Sequence, residues 1–138
     1  MTTIRRLGPG DDAVVVRLAT YPGPADRGEL LADPQAFFLV AFDEDEPVGF
    51  VLAHELPRQH GDASHLFVYE LEVAETHRRR GIATALLGEL AALARERGIA
   101  SGFVLTEPDN DAANALYRSV GGTNEGTNVV WGFRYADG

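Results

Sequence analysis

Positive charge is concentrated at one place in this acidic chain. His77-Arg78-Arg79-Arg80-Gly81 runs straight into the apolar, helix-forming stretch from Ile82 to Leu87. A helix N-terminus offers unpaired backbone N–H groups and the positive end of the helix dipole, so anionic phosphates bind there. Gly81 removes a side chain where the backbone must approach such a ligand, and Ala83 stays small for the same reason. The plainer reading is a helix start with solvated arginines. Just upstream, Glu70 and Glu72 stand two apart on an apolar stretch of strand composition, so both project from one face. Burying unpaired carboxylates there would be costly, so their presence calls for a reason. Tyr117 is a third candidate, sharing one helical stripe with Asn110 and with Ala113 or Asn114. Taken alone, it reads equally well as an amphipathic core residue with a wet hydroxyl.

Composition bounds what these groups can serve. The chain has 138 residues, 45% of them apolar and 24% charged, the values of one ordinary globular domain spanning residues 1–138. Without cysteine there are no disulfides or thiolate metal sites, and His54, His60, His65 and His77 form no close pair at ligand spacing, so no metal is expected. No apolar run reaches membrane-span length and the N-terminus lacks a signal-peptide core, which predicts a cytoplasmic protein without a membrane partner. The net charge of −9 argues against nucleic acid and fits a cationic partner, although it equally serves solubility.

The elements that would position the candidates follow from pattern. Thr3–Leu7 reads as a first strand; Asp11 or Asp12 caps a helix through Ala13–Thr20, and Ala25–Pro34 holds a helical turn or two. Ala36–Phe42 and Val48–Leu56 form a hairpin around Asp43–Pro47, and His65–Val73 is a third long strand leading into the arginines. Ile82, Leu86, Leu90 and Leu93 make one apolar helical stripe, which Gly98 ends. A strand at Gly102–Thr106, a helix at Asp111–Val120 and a final strand at Thr127–Tyr135 complete the order. Hairpins imply antiparallel pairing in the first half, and strand–helix–strand crossovers imply parallel pairing in the second. The expected fold is α/β, a mixed central sheet with helices on both faces.

No Walker loop or dinucleotide G-x-G-x-x-G is present. What remains is R-x-x-G-x-A, carried by Arg78, Gly81 and Ala83 at a strand-to-helix junction, with N-x-x-A-x-x-L-Y-x-x-x-G downstream at Asn110, Ala113, Leu116, Tyr117 and Gly121. In these two motifs, and in the hairpin turn Glu46–Phe50, the whole chain resembles the GCN5-related N-acetyltransferases (GNAT). It departs at Gly122, where the family usually has an aromatic residue. The resemblance implies acetyl-coenzyme A as the acetyl donor, and a strand splayed from its neighbour beside the cofactor. Its diphosphate would lie on the N–H groups of Arg79 to Ala83, with Arg78, Arg80 and Thr84 nearby. The pantetheine arm would run along Leu71–Val73, facing Asn110, Ala113 and Tyr117.

Attack of an amine on a thioester needs a neutral amine, a stabilised oxyanion and a proton for the departing thiolate. An alkylammonium with a pKa of about 10.4 is mostly protonated at neutral pH, so a base helps. Within the resemblance Tyr117 is the candidate general acid, and Glu70 or Glu72 the base or acceptor-binding group. Leu56–Arg58, Tyr69–Val73, His77–Leu86 and the acidic loop Thr106–Asp111 look most like the aminoglycoside 3-N-acetyltransferases, the gentamicin- and fortimicin-modifying branch associated with antibiotic resistance. That likeness implies a polycationic acceptor held by Glu70, Glu72, Glu107, Asp109 and Asp111, against the region from Tyr21 to Pro34. An acetyltransferase for another small amine or a peptide amine is the alternative, and a non-catalytic coenzyme-A-binding sensor module is the alternative of another class. Family members are often dimers, so the resemblance also allows a homodimer.

Overall fold

A computed structural model describes residues 1–18, 27–59, 61, 64–124, 126 and 128–136. The elements are β1 (Thr2–Arg6), α1 (Asp12–Leu18), α2 (Gly28–Ala32), β2 (Ala36–Asp43), β3 (Glu46–Pro57), β4 (Ser64–Val73), a single 3-10 turn (Glu75–His77), α3 (Ile82–Glu96), β5 (Ser101–Val104) and α4 (Asp111–Ser119). They form one sheet in the order β1-β2-β3-β4-β5. The first three pairings are antiparallel and β4–β5 is parallel, as the pattern of hairpins and crossover predicts.

Helices cover both faces, and β2 records this as a run of buried residues from end to end. Its Phe37, Leu39 and Ala41 pack with Ile82, Leu86 and Leu90, the apolar stripe of α3. Its Phe38, Val40 and Phe42 lie on the other face with Leu7 and Leu31, beside Val14, Val15 and Leu18 of α1. Asp11 precedes α1, and its carbonyl accepts from Val14 N–H. Its carboxylate turns away from the helix to Gly8 N–H and the Arg5 guanidinium, tying the first turn to β1.

The alternation of β4 breaks in the middle. Leu52 of β3 pairs with Glu70 and Ala53 with Val68, so Tyr69 is an extra residue, a β-bulge. Before it Leu66 and Val68 face α3; after it Leu71 and Val73 do. The one-residue shift sends Glu70 and Glu72 to the opposite face, where both are exposed. The carboxylates therefore need no buried partner, which removes the cost anticipated for acids in an apolar strand. Pairing with β5 also stops here, because Val68–Val104 is the last matched pair while β4 continues to Val73.

Two expectations need correction or restriction. The final strand does not form within the chain: residues 128–136 join no sheet, while Thr127 lies outside the described residues. A strand exists only where a second backbone pairs with it, and here the segment finds none. Residues 19–26, which include the end of the first expected helix and the start of the acceptor-facing region, lie outside the described residues, as do His60, Asp62 and Ala63.

The C-terminal end of α3 is held to β3 by Arg97 Nε on Glu55, which also accepts from Ser64 Oγ at 2.7 Å. The Arg97 hydrogen bond, then that of Ser64, holds the Glu55 carboxyl below its ordinary 4.5. A depressed carboxyl stabilises the fold above its unfolded pKa and loses that contribution as pH falls through the folded value. Arg97→Ala should therefore lower unfolding stability by up to about 1 kcal/mol at pH 7. In urea titrations at pH 3 the variant and the parent chain should converge; an equal gap at both pH values would refute the assignment.

Candidate active site

The loop from β4 to α3 is pinned on three sides. Ala74 N–H donates to the Val48 carbonyl at 2.7 Å, and Arg78 Nε to the Val73 carbonyl at 3.1 Å. His77 donates from Nε2 to Asp43 at 2.9 Å, while Thr76 Oγ1 engages its Nδ1 at 2.8 Å. The His77 hydrogen bond is the main reason the Asp43 carboxyl sits below its ordinary range, with smaller help from the N-terminal ammonium and Arg80. Arg78 and His77 thus hold the loop's shape, leaving Arg79 and Arg80 exposed at the helix mouth.

Backbone conformation explains the glycine better than space alone. Gly81 is the N-cap of α3 with φ 76°, in the left-handed region. A Cβ there would meet nothing within 4 Å, so the constraint is the dihedral and not crowding. Arg79 is also left-handed at φ 65°, a conformation that costs a non-glycine residue on the order of 1–2 kcal/mol. The sequence holds no sign of this second turn-over. With no side chain to cap it, α3 first closes at Ala85 N–H on the Gly81 carbonyl, 2.9 Å. The N–H groups of Ile82, Ala83 and Thr84 have no partner within the helix, and buried Ile82 fixes their direction. These donors and the neighbouring arginines fit a diphosphate.

The departure of β5 from β4 opens a cleft of about 240 Å³. Tyr69, Glu70 and Leu71 form one wall, Leu105 and Thr106 another, and Asn110, Ala113 and Tyr117 of α4 the third. Glu70 and Tyr117 therefore line one space. Burial raises the Tyr117 pKa above its ordinary 10.0, so the phenol keeps its proton across the neutral range. Asn110 lines the cleft, but its Oδ1 is committed to Ala113 N–H at 3.1 Å as the cap of α4. Asn114 Nδ2 donates to the Glu107 and Asn110 carbonyls, fixing the preceding acidic loop.

The remaining sequence candidates are dispersed. Val73 continues the free stretch of β4 beyond the cleft, and Glu72 follows Glu70 on the exposed face. Glu107 and Asp109 lie on the exposed loop, and Asp111 borders a different depression with Asn114 and Arg118. Only Glu70 of the five acidic candidates lines the Tyr117 cleft. At Gly122, the departure from the family pattern has a local cause. Gly121 (φ 95°) turns the chain back so that Gly122 N–H bonds the Tyr117 carbonyl at 2.8 Å. A Cβ on Gly122 would stand 2.8 Å from that oxygen, so a side chain there would require another exit from α4.

Sequence reading missed a row of rings. Phe103 of β5 stacks on Phe67 at 4.7 Å, Phe67 meets Tyr69 edge-on at 5.4 Å, and Tyr69 meets His54 at 6.0 Å. Phe67, next to the α3-facing Leu66 and Val68, belongs to the sheet face from which Glu70 and Glu72 project. No signal in the strand sequence marks it, because Phe67, Tyr69, Leu71 and Val73 keep one unbroken apolar alternation and the bulge shows only in the register.

Known proteins agree with this architecture. Residues 12–121 match the acetyltransferase (GNAT) family. A mycothiol acetyltransferase of Mycolicibacterium gilvum is 33% identical over 90% of this chain and 46% of its own, so the chain spans about half that curated relative. The crystal structure of an aminoglycoside acetyltransferase from an uncultured soil metagenomic sample superposes with a TM-score of 0.85 at 27% identity, covering 99% of both chains. A ribosomal-protein-alanine N-acetyltransferase from Brucella melitensis biovar Abortus 2308 superposes at 0.76 with 28% identity, over 96% of this chain and all of its own. The uncapped mouth of α3, the split between β4 and β5 and the family match have one meaning: this chain belongs to the GNAT acetyltransferases, enzymes that use acetyl-coenzyme A.

Proposed function

We propose that the chain is a single catalytic domain that acetylates a primary amine of a polycationic small molecule in the cytoplasm, with an aminoglycoside as acceptor and its 3-amino group as the site. The observation that carries this is the meeting of Glu70 and Tyr117 in one cleft. Acetyl-coenzyme A supplies the acetyl group as an activated thioester. The N–H groups of Ile82 to Thr84, with Arg79 and Arg80, hold its diphosphate, and the stretch of β4 from Leu71 to Val73, past the end of its pairing with β5, takes the pantetheine arm. Glu70 receives the ammonium proton, directly or through a water, and leaves the amine nucleophilic. Glu72 and the acidic loop bearing Glu107, Asp109 and Asp111 hold the acceptor's other ammonium groups. Tyr117, protonated at neutral pH, would give its proton to the departing sulfur.

Support for the acceptor comes from three directions. The exposed carboxylates favour polycations, and the ring row formed by Phe67, Tyr69 and Phe103 offers a stacking surface for sugar rings and a π-face for ammonium groups. The similarity to a metagenomic aminoglycoside acetyltransferase along the whole chain points the same way. The likeness to the mycothiol enzyme and to the ribosomal-protein-alanine enzyme supports a second reading, acetylation of another small amine or of a peptide amine.

Tyr117→Phe should lower kcat by about a hundredfold or more while coenzyme A affinity, read by calorimetry, stays within about twofold. Unchanged turnover would sink the acid role. Gly81→Ala should weaken coenzyme A binding by about tenfold, the size of a left-handed penalty of about 1–2 kcal/mol, whereas Gly81→Asn should lose less. The acceptor is decided by coenzyme A release with gentamicin, sisomicin, small diamines and peptides. Release with the antibiotics alone is expected. Release with peptides alone would remove the aminoglycoside reading, and cofactor binding without amine-dependent release would mean a sensor module.

A further inference from the structure

β5 is placed by its seam with β4 more than by any burial of its own. Ile99, just before it, is buried in the α3 core, but none of Ser101, Gly102, Phe103 and Val104 is. No residue of α4, which follows, is fully buried either. The cleft wall of Leu105 and Thr106, and the helix carrying Tyr117, therefore take their position from four pairings between β4 and β5. Three of those pairings carry a further cross-strand device. At His65–Ser101 the serine hydroxyl hydrogen-bonds the imidazole Nδ1 at 2.9 Å. At Phe67–Phe103 the rings stack at 4.7 Å, 8° from parallel. Between them, at Leu66–Gly102, the strands come closer than a side chain allows. A Cβ on Gly102 would stand 2.7 Å from the Leu66 carbonyl oxygen and 3.2 Å from the Leu66 Cβ. A neighbouring backbone cannot swing aside as the end of a side chain can. Glycine inside a strand marks such an approach. The φ of Gly102 is not left-handed, so the position needs glycine for space, the reverse of Gly81.

We propose that Gly102 is a positioning residue for acetyl transfer: it lets β5 lie against the Leu66 backbone and so sets the width of the cleft between Glu70 on β4 and Tyr117 on α4. One pair beyond the stacked rings the ladder ends at Val68–Val104, and both valines line the cleft where the strands part. A displacement of β5 at Gly102 reaches Val104 two residues on, and passes from there into Leu105, Thr106 and α4. The α3 mouth is out of its path. Ile82 packs there with the cores of β2 and β3, and Ala74 N–H bonds the Val48 carbonyl, all on the far side of β4 from β5. A side chain at 102 would thus move the wall that bears the phenol and leave the diphosphate donors where they are. This role rests on the base and acid assignments of Glu70 and Tyr117, since the width matters only if both act on one acetyl group.

In Gly102→Ala, kcat should fall about tenfold or more, the scale of a small misplacement of reacting groups, while coenzyme A affinity by calorimetry stays within about twofold. Coupling to Tyr117 separates positioning from general loosening. Gly102→Ala combined with Tyr117→Phe should stay near the level of Tyr117→Phe alone, about a hundredfold below the parent, whereas independent losses would multiply to about a thousandfold. Parental kcat in Gly102→Ala, or a loss that multiplies with Tyr117→Phe, would overturn the role of Gly102 alone. Parental kcat in Tyr117→Phe would instead remove the acid role, and this one with it. Should Gly102→Ala not fold, Phe103→Ala decides, because it undoes the stack at a ring that is 44% exposed. Its kcat should be severalfold lower at unchanged coenzyme A affinity, and combined with Tyr117→Phe it should again add little. Parental kcat in Phe103→Ala would overturn the proposal. So would a loss that multiplies, as the loss of a mere acceptor contact does.

Discussion

The site depends on one extra residue in β4. Tyr69 interrupts the pairing of β4 with β3, and on its two sides opposite halves of the alternation face the core. The bulge turns Glu70 and Glu72 outward while Leu71 and Val73 stay on α3, and β5 leaves at the same level. A regular strand would have carried the two carboxylates into the apolar α3 interface. The stacked Phe67–Phe103 pair sits immediately before the split and closes its narrow end. Fold and chemistry meet at a local irregularity, as is common for bulges beside functional sites.

The second requirement is a rigid helix mouth, and the charged residues there divide the work. His77 and Arg78 look inward, to Asp43 and the Val73 carbonyl, and hold the loop in a conformation with two left-handed residues. Arg79 and Arg80 look outward. The chain thus separates its potentials in space, positive over the start of α3 and negative around Glu70, Glu72 and the loop before α4. An acidic protein can in this way keep a local positive field within a negative surface.

Most elements were legible because their periods are clean: the continuous apolar run of β2, the α3 stripe and the hairpin between them. The two motifs located the strand-to-helix junction and the start of α4 for the same reason, since Gly81 and the Asn110–Tyr117 spacing are local. What was not legible is relational. The ring row joins three strands, and no spacing along the chain reveals it. The dispersal of Glu107, Asp109 and Asp111 follows from how the loop is tied by Asn114, a matter of tertiary geometry. The segment read as a final strand has a strand's alternation, but alternation specifies only a face and not a backbone to pair with.

The turn after α4 links the segment that follows it to the cleft. Tyr117 presents its phenol to the cleft and, through its main-chain carbonyl, accepts the Gly122 N–H that reverses the backbone. Side chain and tail are therefore two outputs of a single residue's posture. Any change that breaks this bond therefore loosens the helical turn from which the phenol projects.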